Sequence, residues 1–500
     1  MNKHKFLLLT IFLITFFFGL FFFKDQFFFY YDQGRDAFEA YSIYHNGDLK
    51  IQGPATDMPG LYHGVGWYYF LAIPYFLGRE NPFFTGIFLF FIIFLTLPVV
   101  WNLSFALFKN KYIGYGSVLL YAFSPALQLA SKWLSNPSLS LVFTPFLLLV
   151  LWKFIEKQDE RESFFIGMLF GLLLHANLAY ILCIVSLPLI YLVFRLRLKL
   201  MEIITFAIGI SLPLLSFLLV EVKFGGKGLK GFANHFGNNS SSFSLNDFIV
   251  IFARKISELL SLIFFRLDIL LVLILIILVL IMVTKKIKTV EKKPLYFILI
   301  WMSSLILFFF FDIGISRSQF VFFPYFIPTV ILSTFILDKV ISNRKLFLFL
   351  LLLLVALQLK ANLVFIRNKV NPYTVQKGMV LSDLKKAVDY TYLQSDKKEF
   401  VINSITSPLF INTTWSYLYE FYGAKKYGYL PYWDGSDQRG YLGNLPSGIK
   451  TNYRFTIIEP GPGIPEFFIK KIIEEENLKS NLVSEIKIGT IVVQKRIPKK

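Results

Sequence analysis

The residues with the most chemical potential in this 500-residue chain crowd into one stretch, FFFYYDQGRDAFEAYSIYHNGDLK, beginning at Phe27. Asp32 and Asp36 are four apart, so a helix would set both carboxylates on one face with Arg35 beside them. A carboxylate so placed can take a proton from an attacking hydroxyl. The plainer use of the same residues is an ion pair with Arg35, or a cap for a helix starting near Asp36. Residue types alone leave both readings open. Asp57, His63 and an aromatic run follow, and Lys132 to Pro137 forms a second short polar segment containing Asn136. His63, His175 and His235 show no metal-ligand spacing, and His175 reads as a hydrogen-bonded histidine near a helix end. There is no Walker loop and no dinucleotide fingerprint, because Gly225-Gly226-Lys227-Gly228 lacks the following Ser or Thr.

The elements that must carry these residues are set by composition. The chain is 55% hydrophobic, has 59 Phe and only 17% charged residues, too apolar for a water-soluble fold. Apolar runs long enough to span lie near 6–23, 84–108, 112–131, 138–154, 164–178, 179–194, 201–221, 268–284, 295–311, 319–337 and 345–361. The expected fold class is therefore an α-helical polytopic membrane protein of about eleven spans. The first run follows a short basic flank without a cleavage motif and reads as a signal anchor. Much of the net charge of +19 sits in short loops such as Lys109/Lys111, Arg195/Arg197/Lys199 and Lys285/Lys286/Lys288. That pattern puts these loops in the cytoplasm beside anionic lipid and makes nucleic acid an unneeded partner. With the N-terminus cytoplasmic, an odd number of spans places the C-terminus outside the cell membrane.

Trp67 to Gly78 is apolar, short and interrupted by Pro74, so it is laid in the outer interface rather than across the membrane. Residues 248–267 carry Arg254, Lys255, Glu258 and Arg266 on an apolar helix and are read the same way. Residues 222–247, rich in Gly, Asn and Ser, read as a flexible outer loop. From about Asn362 the character changes. Helical patterns (SDLKKAVDYTYL, PEFFIKKIIEEENL) alternate with strand-like runs (EFVINSI, YRFTIIEP, VSEIKIGTIVVQKR), predicting a small extracytoplasmic α/β domain over 362–500 behind a transmembrane module over 1–361. The single cysteine, Cys183, can form no intrachain disulfide, so that domain must be held by packing. The aromatic segment Tyr417 to Trp433 reads as domain core or docking surface before it reads as a glycan platform.

A long first loop (24–83) with Asp32 at its start, Ala and Tyr helical residues, Gly47-Asp48 fifteen residues on and His63-Gly64-Val65-Gly66-Trp67-Tyr68-Tyr69 resembles the GT-C glycosyltransferases. The branches it resembles are the protein O-mannosyltransferases and the lipid A aminoarabinose transferases. Phe108 with Lys109 and Lys111, Ser124-Pro125, and Lys132 to Pro137 continue the likeness, which covers roughly 1–220 well and 290–361 loosely. Two departures stand out: Asn136 replaces an acid, which puts a two-carboxylate metal site in doubt, and Gly64-Val65-Gly66 replaces prolines.

The resemblance implies an inverting transfer of a sugar from a polyprenyl-phosphate-linked donor to an acceptor hydroxyl, on a lipid-linked glycan or a protein, at the outer face. It implies Asp32, or else Asp36, as general base, and Arg35, Lys132 and Arg317 as cations for the leaving phosphate. Asp57, His63 and Asn136 join these as substrate-binding candidates. No nucleotide cofactor is expected, and a divalent cation is left open. The alternatives are a transporter or flippase for a lipid-linked glycan and an O-antigen-ligase-like enzyme. A transporter would carry ionisable residues near mid-membrane and broken helices in matching halves, whereas Glu221 and Asp268 lie near span ends.

Overall fold

The computed structural model describes residues 3–56, 58–197, 199–238, 245–264, 287–307, 318–435, 446, 451–461 and 463–499. Asp57, Arg317 and the span expected at 268–284 lie outside the described residues. Helix α1 (Lys3–Phe21) is followed by α2 (Tyr31–Asn46) and α3 (Gly66–Leu77) in the first long loop. The bundle continues with α4 (Pro82–Phe108), α5 (Lys111–Ala122), α6 (Pro125–Ala130), α7 (Ser140–Lys157), α8 (Glu160–Ala176), α9 (Leu178–Phe194) and α10 (Leu200–Lys223). Then come α11 (Lys227–Asn238), α12 (Leu245–Ile263), α13 (Thr289–Ser303), α14 (Gln319–Val340) and α15 (Arg344–Arg367). Six helices among the described residues are long and apolar enough to cross a membrane: α1, α4, α10, α14, α15 and the stretch Asn136–Lys157 that contains α7. The chain is an integral membrane protein.

Side-chain caps start many of these helices. Asn81, Asn110, Ser124, Asp159 and Asn343 each accept from a backbone N–H two or three residues on, satisfying donors that the first turn leaves free. Between spans, small residues permit close approach: a Cβ at Gly209 of α10 would stand 2.2 Å from the Phe164 carbonyl oxygen of α8. The segment 227–238, expected as a flexible loop, is helical. Glu221 at the end of α10 accepts from the Leu229 N–H at 3.3 Å, which anchors the first turn of α11. Helix α3 has twelve residues, about 18 Å at 1.5 Å each, short of the ~30 Å hydrocarbon core.

The Ser124-Pro125 pair shows why a kink can be tolerated among spans. Proline ends the backbone ladder of α5 and frees carbonyls in an apolar setting, where each must find a donor. Gln358 Nε2 donates to Leu120 (2.8 Å), Ser124 Oγ to Tyr121 (2.7 Å), Gln128 Nε2 to Ala122 (2.9 Å) and Asn362 Nδ2 to Phe123 (2.8 Å). The short α6 then delivers the chain directly to Lys132.

Beyond α15 the chain forms α16 (Leu381–Gln394), β1 (Val401–Ile405), α17 (Thr413–Leu418), β2 (Tyr432–Trp433), β3 (Arg454–Ile458), α18 (Glu466–Lys479), β4 (Ser480–Ile488) and β5 (Ile491–Pro498). The five strands run in the order β2-β1-β3-β5-β4, with β1 parallel to β2 and β3 and the β3-β5-β4 pairs antiparallel. Every residue of β1 is buried, as a central strand with parallel neighbours requires. This part is fastened to the first loop. Phe29 N–H donates to the Met379 carbonyl and Leu381 N–H to that of Phe27, both at 2.9 Å. Tyr417 Oη donates to the Glu80 carbonyl at 2.8 Å.

Candidate functional site around Asp32

Helix α2 sets the chemistry. It starts immediately after the segment that pairs with residues 379–381, and it ends at Gly47, whose left-handed backbone (φ 73°) lets its N–H return to the Ser42 carbonyl. One face carries Asp32, Arg35 and Asp36. The opposite face meets the C-terminal part: Gly34 lies against Thr413 and Thr414, and Phe38 packs on Tyr417 with ring centroids 5.2 Å apart.

The two carboxylates, equivalent in the sequence, have different environments. Asp36 is buried, its side chain only 3% exposed. One oxygen accepts from Arg35 Nε (2.9 Å) and Nη2 (2.8 Å), the other from Trp67 Nε1 on α3 (2.6 Å). Burial pushes its carboxyl up to about 6, against the pull of the Arg35 guanidinium and with some help from the Asp32 charge. Asp32 is 42% exposed, and its ion pair among the described residues is to Arg35 Nη1 at 3.0 Å. Burial would weaken the Arg35 cation, yet the charges of Asp36 and Asp32 hold its pKa well above the usual value. Asp36 and Trp67 fix Arg35, and Arg35 fixes Asp32.

The second short segment lies alongside. Lys132 Nζ donates to Gln26 Oε1 (3.2 Å), Trp133 Nε1 to Tyr30 Oη (3.0 Å), and Gln33 Nε2 to the Leu134 carbonyl (2.9 Å). These three bonds lay residues 132–134 along residues 26–33. Lys132 is buried without a carboxylate ion pair among the described residues, and burial pulls its ammonium down to about 7, with Asp25 opposing. The amide nitrogen of Gln26 is buried and has no partner among the described residues. A cation beside an unsatisfied donor suits an anion.

His63 is half-buried. Its Nδ1 has no partner among the described residues, and burial, then the Arg35 charge, pull its pKa down to about 4. It therefore stands neutral at the edge of the Arg35 cluster. Asn136 is engaged elsewhere: its amide donates to the Ala176 carbonyl at 2.7 Å, tying the second segment to the end of α8. Among the described residues no three His, Cys, Asp or Glu side chains come together as metal ligands.

His175 explains the glycines that replace prolines. Its Nδ1 accepts from the Gly66 N–H (3.3 Å), so Nε2 carries the proton and donates to the Pro213 carbonyl (2.5 Å). A Cβ at Gly64 would lie 2.3 Å from His175 Cγ. The ring occupies the space that any side chain at 64 would need.

Reasoning from sequence did not single out Gln26, Tyr30, Gln33 or Trp133 as parts of this site, and it took Trp67 for an interfacial aromatic and a position in the His63–Tyr69 motif, without a role beside Asp36. The aromatic residues read like the lipid anchors around them. Their polar partners are 31 to 106 residues away, so no local spacing marks them.

An α-helical bundle whose first long loop places an acidic helix beside the second loop, followed by a C-terminal α/β part, is a GT-C-like fold. A solved structure that shares it is the crystal structure of ArnT from Cupriavidus metallidurans bound to undecaprenyl phosphate. It matches with a TM-score of 0.56 over 98% of this chain and 97% of that one, at 12% identity. No family model matches the sequence, and no curated protein does. The likeness is one of fold.

Proposed function

We propose that this chain is an inverting glycosyltransferase that moves a sugar from a polyprenyl-phosphate-linked donor to an acceptor hydroxyl at the outer membrane face, with Asp32 as general base. The observation that carries this reading is the inequality of the two carboxylates. Asp36 has both oxygens committed in a buried setting, whereas Asp32 is open to a substrate and, among the described residues, shares only the Arg35 guanidinium. Asp36 is then a positioning residue.

In the reaction, the acceptor O–H gives its proton to Asp32 as its oxygen attacks the anomeric carbon. The bond from that carbon to the donor's phosphate oxygen breaks on the opposite side, so configuration inverts. The departing lipid phosphate gathers negative charge that fixed cations stabilise. Lys132, on the segment laid along residues 26–33, is the cation assigned this role, and a phosphate beside it would raise its pKa again by charge attraction. Arg317 keeps the same role as a proposal from sequence. That ArnT was crystallised with undecaprenyl phosphate supports the choice of donor class. The acceptor is a lipid-linked glycan or a protein, and the C-terminal part helps to present it.

The test is transfer of labelled sugar by the purified chain in lipid, with the anomeric configuration of the product read by NMR. Inversion, with transfer lost in Asp32→Asn, is expected. Retention of configuration would overturn the inverting mechanism with Asp32 as its base, and no transfer from any polyprenyl-phosphate sugar would remove the whole reading and favour transport.

A further inference from the structure

The turn joining α3 to α4 has a feature that the transfer chemistry leaves unused. Arg79 and Glu80 both adopt left-handed backbone, with φ of 51° and 60°, a conformation that non-glycine residues hold at a cost and that marks functional turns. The C-terminal part holds the turn in place. Tyr417 Oη donates to the Glu80 carbonyl (2.8 Å) and Lys425 Nζ to the Arg79 carbonyl (3.3 Å). The Glu80 carboxylate is bound by Lys425 Nζ (2.5 Å) and Tyr44 Oη (3.0 Å), so its charge is already answered.

A cavity of about 210 Å³ opens at this turn, its walls including Arg79, Asn81, Lys385, Tyr417, Phe421 and Tyr422. It lies across α2 from the carboxylates, on the side where Phe38 and Tyr41 meet Tyr417 and Phe421. Two cations line it without an ion pair among the described residues. Arg79 is exposed. Lys385 rests over the Tyr422 ring at 4.8 Å. The two acids beside it on α16 are already engaged: Asp383 pairs with Lys369 and Lys386, and Asp389 binds Lys426 (2.8 Å), Tyr422 (2.8 Å) and Tyr427 (2.9 Å).

The setting identifies the ligand class. Pro82, the first residue of the membrane-spanning α4, also lines the cavity. Phe76 and Leu77 at the end of α3 and Phe84 at the start of α4 are exposed apolar side chains on either side of it. The opening therefore lies where hydrocarbon meets headgroups, the level at which aromatic and basic side chains settle. The volume is below the ~300–1,000 Å³ of ordinary ligand pockets, which suits a headgroup and excludes an oligosaccharide.

We propose that this cavity binds the phosphate-bearing headgroup of an anionic membrane phospholipid, with Arg79 and Lys385 on the phosphate and the acyl chains lying along Phe76, Leu77 and Phe84. Paired cations recognise phosphate by charge-assisted hydrogen bonds. Since the walls come from both the α3–α4 turn and the C-terminal part, the bound lipid fastens that part to the leaflet.

The test uses the full chain in detergent and native mass spectrometry with phosphatidylglycerol, phosphatidylcholine and free glycerol phosphate. Preferential retention of phosphatidylglycerol is expected, weakened at least tenfold in Arg79→Gln/Lys385→Gln and kept in the charge-conserving Arg79→Lys/Lys385→Arg. Unchanged binding in the glutamine variant would overturn the proposal, as would loss of binding in a folded charge-conserving variant. Free glycerol phosphate held as firmly as the lipid would assign the cavity to a soluble anion and overturn the lipid assignment.

Discussion

Trp67→Phe is the most telling perturbation of the carboxylate cluster, because it removes the hydrogen bond to Asp36 and leaves every charged group in place, with a small buried void as its side effect. Phenylalanine keeps an aromatic ring near Phe70, whose centroid is 5.8 Å from that of Trp67. The indole N–H that reaches Asp36 Oδ2 at 2.6 Å is lost. A hydrogen bond to a buried charged group contributes about 1.5–3 kcal/mol, and this one favours the ionised carboxylate. At 1.36 kcal/mol per pKa unit, its loss moves the carboxyl upward by about one to two units. In the wild type, burial sets Asp36 near 6, with Arg35 and Trp67 opposing. As pH falls through that value Asp36 takes up a proton, its hold on Arg35 Nε and Nη2 weakens, and Arg35 no longer orients Asp32. Sugar transfer should therefore decline on the acid side with a midpoint near 6, and in Trp67→Phe the midpoint should rise to about 7 or 8. Initial rates between pH 5 and 9 at saturating donor measure it. An acid limb that stays in place or moves downward would refute the claim that Asp36 acts through Arg35.

Three further perturbations follow from the same contacts. Gly64→Ala would drive a methyl into His175 and should lower thermal stability by about 1–3 kcal/mol. Combining it with His175→Ala should restore part of the loss, and an additive double variant would contradict the clash. Glu459 is buried and bound by N–H donors from Gln376, Ser407 and Trp415; burial nevertheless pushes its pKa from 4.5 up to about 7. Its folded pKa exceeds the unfolded one, so its stabilising contribution is full below about 4.5 and is lost as pH rises through about 7, a change of about 3 kcal/mol. Hydrogen-exchange protection of β1, β3 and β5, corrected for the intrinsic pH dependence of amide exchange, should accordingly fall from pH 5 to pH 8, and Glu459→Gln should flatten that fall; equal profiles would contradict it. Lys132→Met should leave the fold intact, since the one hydrogen-bond partner of its side chain among the described residues is the neutral Gln26, while raising KM for the lipid donor at least tenfold. An unchanged KM would take Lys132 out of the phosphate site.

Most of the scaffold was legible because lipid imposes a simple rule on sequence. Apolar runs such as those of α4, α10 and α15 must be helices, and the alternating tail segments gave β1, β3, β4 and β5 with the helices α16 and α18. A helix was expected to start near Asp36; it starts at Tyr31, which puts Asp32 and Asp36 on the shared face that their spacing allows. What spacing could not separate was the two acids. That distinction depends on Trp67 reaching across from α3 and on the C-terminal part covering the other face of α2, both consequences of tertiary packing. The same holds for Lys132: its loop was marked by type, but its depth and its Gln26 partner come from a bond 106 residues apart. Helix α17 was missed as an element because its aromatic run, Trp415 to Tyr419, has no amphipathic period. It is buried on nearly every side between the sheet and the first loop.

The account rests on Asp32 as the base, and the direct measurement is single-turnover transfer from a labelled polyprenyl-phosphate sugar by the purified chain in lipid, comparing Asp32→Asn with Asp36→Asn. The prediction is that Asp32→Asn still binds the donor and loses transfer by a factor of at least about 10², while Asp36→Asn retains slowed but measurable turnover. Full transfer by Asp32→Asn, or abolition confined to Asp36→Asn in a folded protein, would contradict it.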